Sequence, residues 1–219
     1  MGRRMMLIAG SLAVLAITTG LAVRSDVLGS HDAGAKPDSK PVDVYERGEG
    51  PIFWEIDADD LNGDVYSFPG DLEGRPTLAL VAFRQLHQIE VNTWLEYLGR
   101  FEAAAPELRV VEFPTVAGVW KLAKGWIDDG MRSGIKSRDA RARTITLFTN
   151  VGRFRRHLGI DSRERPTYLL LDKDARVVAR WVGPADDETI SSVLEMARPL
   201  IKEMGASDTE PEAARAASD

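Results

Sequence analysis

The order of hydrophobic segments predicts an α/β domain built on one central sheet, and three observations carry that prediction. Residues 77–83 are a near-continuous apolar run, the pattern of a strand buried on both faces. Apolar residues then recur at helical spacing, at Val91, Trp94, Leu95, Leu98 and Phe101, before a second apolar run at 108–113. Strand, helix and strand in that order imply a right-handed parallel crossover. Farther on, residues 167–172 and 177–183 read as two strands around the turn formed by Lys173, Asp174, Ala175 and Arg176.

The remaining elements follow along the chain. Residues 52–57 and 65–68 read as a hairpin, because Asn62-Gly63 suits the positive φ angles of a primed turn. The amphipathic helix after the central strand spans 88–105, with Asn92, Glu96, Arg100 and Glu102 on its polar face. A helical stretch carries Trp120 and Trp126 and ends near Arg132. Residues 144–149 are a short strand, 151–158 a short helix, and 186–203 a closing helix whose first turn holds Asp186, Asp187 and Glu188, favourable to its dipole. Core packing is the expectation for the tryptophans. Trp120 and Trp126 are six apart and share no clean helical face, so at least one of them is expected to be exposed or to cover the sheet edge.

The first fifty residues have another character. Behind Arg3 and Arg4, residues 5–23 form a run of 19 without a charged side chain, followed by Arg24. At about 1.5 Å per residue, such a helix crosses a hydrocarbon core of roughly 30 Å. Residues 1–24 therefore read as one N-terminal transmembrane or signal helix: a retained single-pass anchor, or a cleavable signal with Gly20 and Ala22 as the small residues a peptidase reads. With Arg3 and Arg4 cytoplasmic, the rest is expected outside the inner or plasma membrane, in the periplasm of a Gram-negative cell. Residues 25–50 read as a flexible linker, 51–205 as the domain and 206–219 as a disordered tail.

Composition narrows the chemistry. Among 219 residues there is no cysteine, which excludes a disulfide, a thiolate nucleophile, a zinc-thiolate site, an iron-sulfur cluster and a lipoprotein anchor. A net charge of -6 argues against nucleic acid as a partner. No Gly-rich phosphate loop, Ser-His-Asp order or His-Glu-x-x-His motif is present. Within residues 131–165, however, nine arginines and one lysine stand against Asp139, Asp161 and Glu164. Arg132, Arg138, Arg141, Arg143, Arg155 and Arg156 are the candidate basic surface, suited to an acidic protein partner or to anionic lipid. Charges that pair with the acidic remainder of the domain are the plainer alternative.

Residues 165–174, Arg165 and Pro166 followed by an apolar strand, with the strand 177–183 after them, resemble the C-terminal half of the thioredoxin-like superfamily. Residues 72–76 resemble that family's approach to the central strand, and the resemblance covers residues 51–203. It implies a three-layer α/β/α domain with a central mixed sheet, and a cis proline at Pro166 facing the active-site loop. In the superfamily a C-x-x-C opens the helix after the central strand. Here Gln88, Ile89, Glu90 and Val91 stand in its place. A narrower resemblance, carried by residues 130–135, 138–143, 154–160 and 181–185, is to the mitochondrial ATP synthase assembly factor family and to YtfJ-type periplasmic proteins. It implies an assembly or chaperone-like role.

The candidate binding corner is thus Arg84, His87, Gln88 and Glu90, with Arg165 and Pro166 beside them. His87 and Glu90 could share a helix face as an acid/base pair, but two ligands are too few for zinc. The expected function is a membrane-tethered assembly protein that is not an enzyme, uses no cofactor or metal, and binds a protein partner, such as a membrane complex. The other reading is a cysteine-independent enzyme that binds a small thiol or a peptide at the same corner.

Overall fold

A computed structural model describes residues 40–207. The expected membrane or signal helix, most of the expected linker and most of the expected tail lie outside the described residues. In chain order the elements are β1 (Asp43–Val44), β2 (Ile56–Asp59), β3 (Val65–Phe68), β4 (Thr77–Ala82), α1 (Gln88–Leu95), α2 (Leu98–Ala104), β5 (Arg109–Ala117), α3 (Lys124–Gly134), α4 (Arg138–Ala142), β6 (Leu147–Thr149), α5 (Val151–His157), β7 (Thr167–Leu171), β8 (Val177–Val182) and α6 (Asp187–Ser207). Six strands form one mixed sheet in the order β1-β8-β7-β4-β5-β6, and β2 and β3 pair apart from it.

The run expected to be central is central. β4 pairs parallel with β5 and antiparallel with β7, so both its edges are hydrogen-bonded. Its side chains alternate between two cores, as a period of two requires. Leu78 and Leu80 pack with Val91, Trp94, Phe101, Ile190 and Val193 under α1, α2 and α6. Ala79 and Val81 pack on the opposite face with Phe53, Phe68, Phe113, Phe154 and Leu158, contributed by the hairpin, β5 and α5. The result is three layers, with one outer layer part helix and part hairpin.

Several boundaries differ from the sequence reading. Residues 43–44, expected in the linker, form an edge strand antiparallel to β8, because buried Arg180 on β8 is held by the Asp43 and Asp161 carboxylates. A strand of two residues shows no periodicity by which sequence could reveal it. At the other end α6 continues through Ser207, two residues into the expected tail. The helix expected over 88–105 breaks at Tyr97 (φ -95°, ψ 6°) into α1 and α2. β5 runs on to Ala117 through Pro114, which sits where pairing passes from β4 to β6.

The turn at Asn62-Gly63 is not the two-residue primed turn. Only Gly63 has positive φ, and the buried Asp60 carboxylate accepts from the backbone N–H groups of Asn62 (2.7 Å) and Asp64 (3.0 Å). An aspartate that captures two amides in this way offers the backbone an alternative to the tight hairpin turn. Pro166 is also corrected. The cis X-Pro bond among the described residues is Phe68–Pro69, and Arg165–Pro166 is trans. The isomers of such a bond differ by only about 0.5–1 kcal/mol in a free chain, so neighbouring residue types do not choose between them.

Candidate functional site

β4 ends at Ala82, and the chain passes through extended Arg84 into a 3-10 turn, Gln85–His87, that opens α1. This is the corner where the superfamily's redox motif would lie. His87 is buried inside it, only 5% exposed. Its Nδ1 accepts from the Phe83 N–H (3.2 Å) and its Nε2 meets the Glu164 carbonyl (3.1 Å), so the ring is the neutral tautomer with the proton on Nε2. Burial holds its pKa below the ordinary histidine value, against the opposing pull of the Glu164 carbonyl and the Glu90 carboxylate. Both nitrogens are committed to the backbone. The acid/base pair that the spacing of His87 and Glu90 allows is not made, as each side chain has another partner.

Glu90 turns instead to Arg165 (3.1 Å), and Arg84 pairs with Glu164. Two ion pairs and one histidine bridge therefore fasten residues 164–165 to the start of α1. Both pairs are largely exposed, so each contributes about 0–1 kcal/mol. Their role is to orient the loop. Gly183 leaves room for this: at φ +108°, a Cβ there would stand 2.8 Å from Arg165 Nη2. Pro166 is buried behind the loop at the start of β7.

Gln88, at the redox position, donates from Nε2 to Asn92 Oδ1 (3.0 Å) and approaches Glu112 Oε2 (3.5 Å). Glu112 on β5 is buried, and Thr144 Oγ1 lies 3.4 Å from its other oxygen. Burial raises its pKa above the carboxylate range, outweighing the lowering by Gln88, Arg143 and Thr144. Glu112 and Glu164 are functional neighbours that the sequence reading passed over. The signal for Glu112 was one acid inside an apolar strand; Glu164 carried none.

These shifts have opposite linkage to pH. His87 is depressed, so folding costs nothing extra above the unfolded value near 6.5 and loses stability as pH falls below it. Glu112 is raised, so its penalty grows as pH rises above the unfolded carboxylate value through the folded one. In Glu112→Gln, urea unfolding at pH 7 should show higher stability than the parent, and the same variant should lose stability from pH 7 to pH 5.5 by the His87 effect. A variant no more stable than the parent at pH 7 contradicts the assignment of Glu112.

Beside the corner lies a cavity of about 240 Å³, lined chiefly by Ala82, Phe83, Pro114, Val116, Ile127 and Met131, with Arg84 and Gln88 among its polar lining residues. One wall is α3, whose Ile127, Gly130 and Met131 no local pattern had tied to the corner. Leu86 and Ile89, 72% and 70% exposed, are chain neighbours of the lining residues Gln85 and Gln88 but do not line the cavity.

The arginines come from two stretches of the chain. Arg132, Arg138, Arg141 and Arg143 sit on or beside α3 and α4, before β6, while Arg155 and Arg156 lie on α5, after it. Several are engaged: Arg132 Nε donates to the Leu61 carbonyl (2.7 Å) and Arg155 to the Asp161 carbonyl.

The chain has a thioredoxin-like α/β fold around a central mixed sheet, with no thiol at the corner where that fold carries its redox motif. No family model matches the chain, and no curated protein matches it. Solved structures do. It is similar to an electron transfer protein described as putative from Aquifex aeolicus VF5, at TM-score 0.53 and 11% identity over 68% of this chain and 97% of that one. It is similar to BsSco, a member of the Sco family of cytochrome c oxidase assembly proteins, at TM-score 0.52 and 11% identity over 74% and 96%. A secreted thiol-disulfide isomerase from Corynebacterium glutamicum gives TM-score 0.47 and 16% identity over 76% and 95%. At these identities the likeness is one of fold.

The expectation that the chain is no enzyme is overturned by the same comparisons. The solved structures it is similar to in fold include a thiol-disulfide isomerase, a thiol-disulfide oxidoreductase and a thiol:disulfide interchange protein. Absence of one residue type removes thiol chemistry, and it does not decide whether a protein catalyses.

Proposed function

We propose that this chain is a membrane-tethered, extracytoplasmic binding protein with an assembly or chaperone-like role, which receives an apolar segment of a protein partner at its thiol-free corner. The observation that carries the reading is the cavity of about 240 Å³ at the end of β4. Its walls are mainly apolar, contributed by Ala82, Phe83, Pro114, Val116, Ile127 and Met131. Such a concave apolar site with a few polar groups at hand is the ordinary form of a binding pocket. His87 supports the reading by holding the corner in shape with both ring nitrogens. The tether is read from residues 5–23.

A photo-cross-linking side chain at Gln88, in the full-length chain in its own membranes, tests this. One defined polypeptide adduct is expected, and Met131→Glu, which places a carboxylate in the cavity wall, should deplete it. Adducts of equal yield from Gln88 and from exposed Glu73, or a yield that Met131→Glu leaves unchanged, would contradict the reading.

A further inference from the structure

Residues 118–126 carry a second apolar surface, which the cavity does not use. After β5 the chain forms a 3-10 helix, Gly118–Ala123, and then enters α3. Val119, Leu122 and Trp126 are 79%, 101% and 75% exposed, and Trp120 is 52% exposed. The expectation that at least one of Trp120 and Trp126 lies outside the core is met by both.

The reason lies in how α3 is fixed. Lys124 and Asp128 form an i,i+4 pair, and Lys124 Nζ also donates to Asp59 (2.7 Å), while Arg132 Nε donates to the Leu61 carbonyl (2.7 Å). That face is tied to the hairpin. Ile127, Gly130 and Met131 form the cavity wall. Trp126 is left on the remaining face, and turning it inward would break these polar contacts. Large apolar side chains held in water by a fixed helix mark an interaction surface.

Charge and chain length select the occupant. Between Glu112 and Asp128 there is no acid, while Lys121 and Lys124 are basic and Lys121 is exposed. Tryptophan beside lysine is the composition of a membrane interface, where the indole sits at headgroup level and the ammonium meets phosphate. Only residues 24–39 separate the apolar run 5–23 from the described domain. Sixteen residues reach about 55 Å when fully extended, at about 3.3–3.6 Å each. The tether arrives at β1, one edge of the sheet, and the 3-10 helix packs beside β6, the other edge. Six strands at about 4.8 Å spacing put those edges roughly 24 Å apart, well within that reach.

We propose that residues 119–126 are an interfacial membrane-docking surface, which inserts Trp120, Leu122 and Trp126 at the headgroup level of an anionic bilayer and sets Lys121 against its phosphates. The tethered reading supplies only proximity. Docking at two points turns the β6 edge towards the lipid and limits how the domain, with its corner, can lie relative to the membrane.

Because the chain has no cysteine, Leu122→Cys gives a single thiol for an environment-sensitive fluorophore. The full-length chain is reconstituted into vesicles of phosphatidylcholine, alone or mixed with phosphatidylglycerol. In the mixed vesicles the probe should shift to shorter wavelength and be quenched by nitroxide-bearing lipid, while a probe at Asp174→Cys stays in water. Adding Trp120→Ser and Trp126→Ser should abolish the shift, and Lys121→Ser should reduce docking by about fivefold, the usual effect of one basic residue near an anionic surface. A probe at position 122 that stays in water in both lipids overturns the proposal, including the case in which this surface is kept for a protein. Flotation of the same vesicles reads the tether separately. Chain that floats while the probe stays wet removes the docking surface and leaves the tether standing; chain that shows the shift but is stripped by alkaline carbonate, and then no longer floats, supports docking without it.

Discussion

Replacement of Trp94 by alanine will lower the free energy of unfolding by about 3–5 kcal/mol. The indole is 1% exposed and stacks on Tyr168, with ring centroids 4.0 Å apart and planes 20° from parallel. Its Nε1 donates to the Gly183 carbonyl at 2.9 Å. Alanine forfeits the packing, opens a void between α1 and the sheet, and leaves that carbonyl without its donor. Since domains have only about 5–15 kcal/mol in total, the midpoint of urea unfolding should fall steeply. Exposed Trp126→Ala is the comparison, expected within about 0.5 kcal/mol of the parent. Equal losses at the two positions would contradict the layer assignment. The effect should also reach the corner, because Gly183 adjoins Arg165, which pairs with Glu90.

Replacement of His87 by leucine comes second in size. Leucine fills most of the space but leaves the Phe83 N–H and the Glu164 carbonyl without a partner in a partly buried site, a loss of about 1–3 kcal/mol in all. The change should be local as well as global: the Phe83 amide should lose its protection from hydrogen exchange relative to amides in β7. Glu90→Gln, which removes only a largely exposed ion pair, should cost about 1 kcal/mol or less. If His87→Leu proves neutral in both measurements, His87 is not the bridge described. Stability lost without change in the capture of a partner would separate the corner's architecture from the proposed binding.

The corner itself was legible in sequence only as a place. A run buried on both faces, followed by an amphipathic helix, locates residues 84–91 at the end of a central strand, because periodicity is a local property of the chain. The absence of cysteine then removes thiol chemistry from that place with no structure needed. Spacing suggested that His87 and Glu90 work together. They do not, because each has a stronger partner in the segment before β7, 77 residues away for His87 and 75 for Glu90.

Sequence alone therefore determined the class of fold, the central position of β4, the site of the missing redox motif and the excess of arginine between residues 131 and 165. Each depends on composition or on a period of two or 3.6 residues. Tertiary structure decided the rest: that His87 is a neutral bridge, that Glu112 is buried beside Gln88, that α3 walls a cavity, and that Trp120 and Trp126 face water. All of these depend on which distant segments meet, and contacts across so many residues leave no period in the chain.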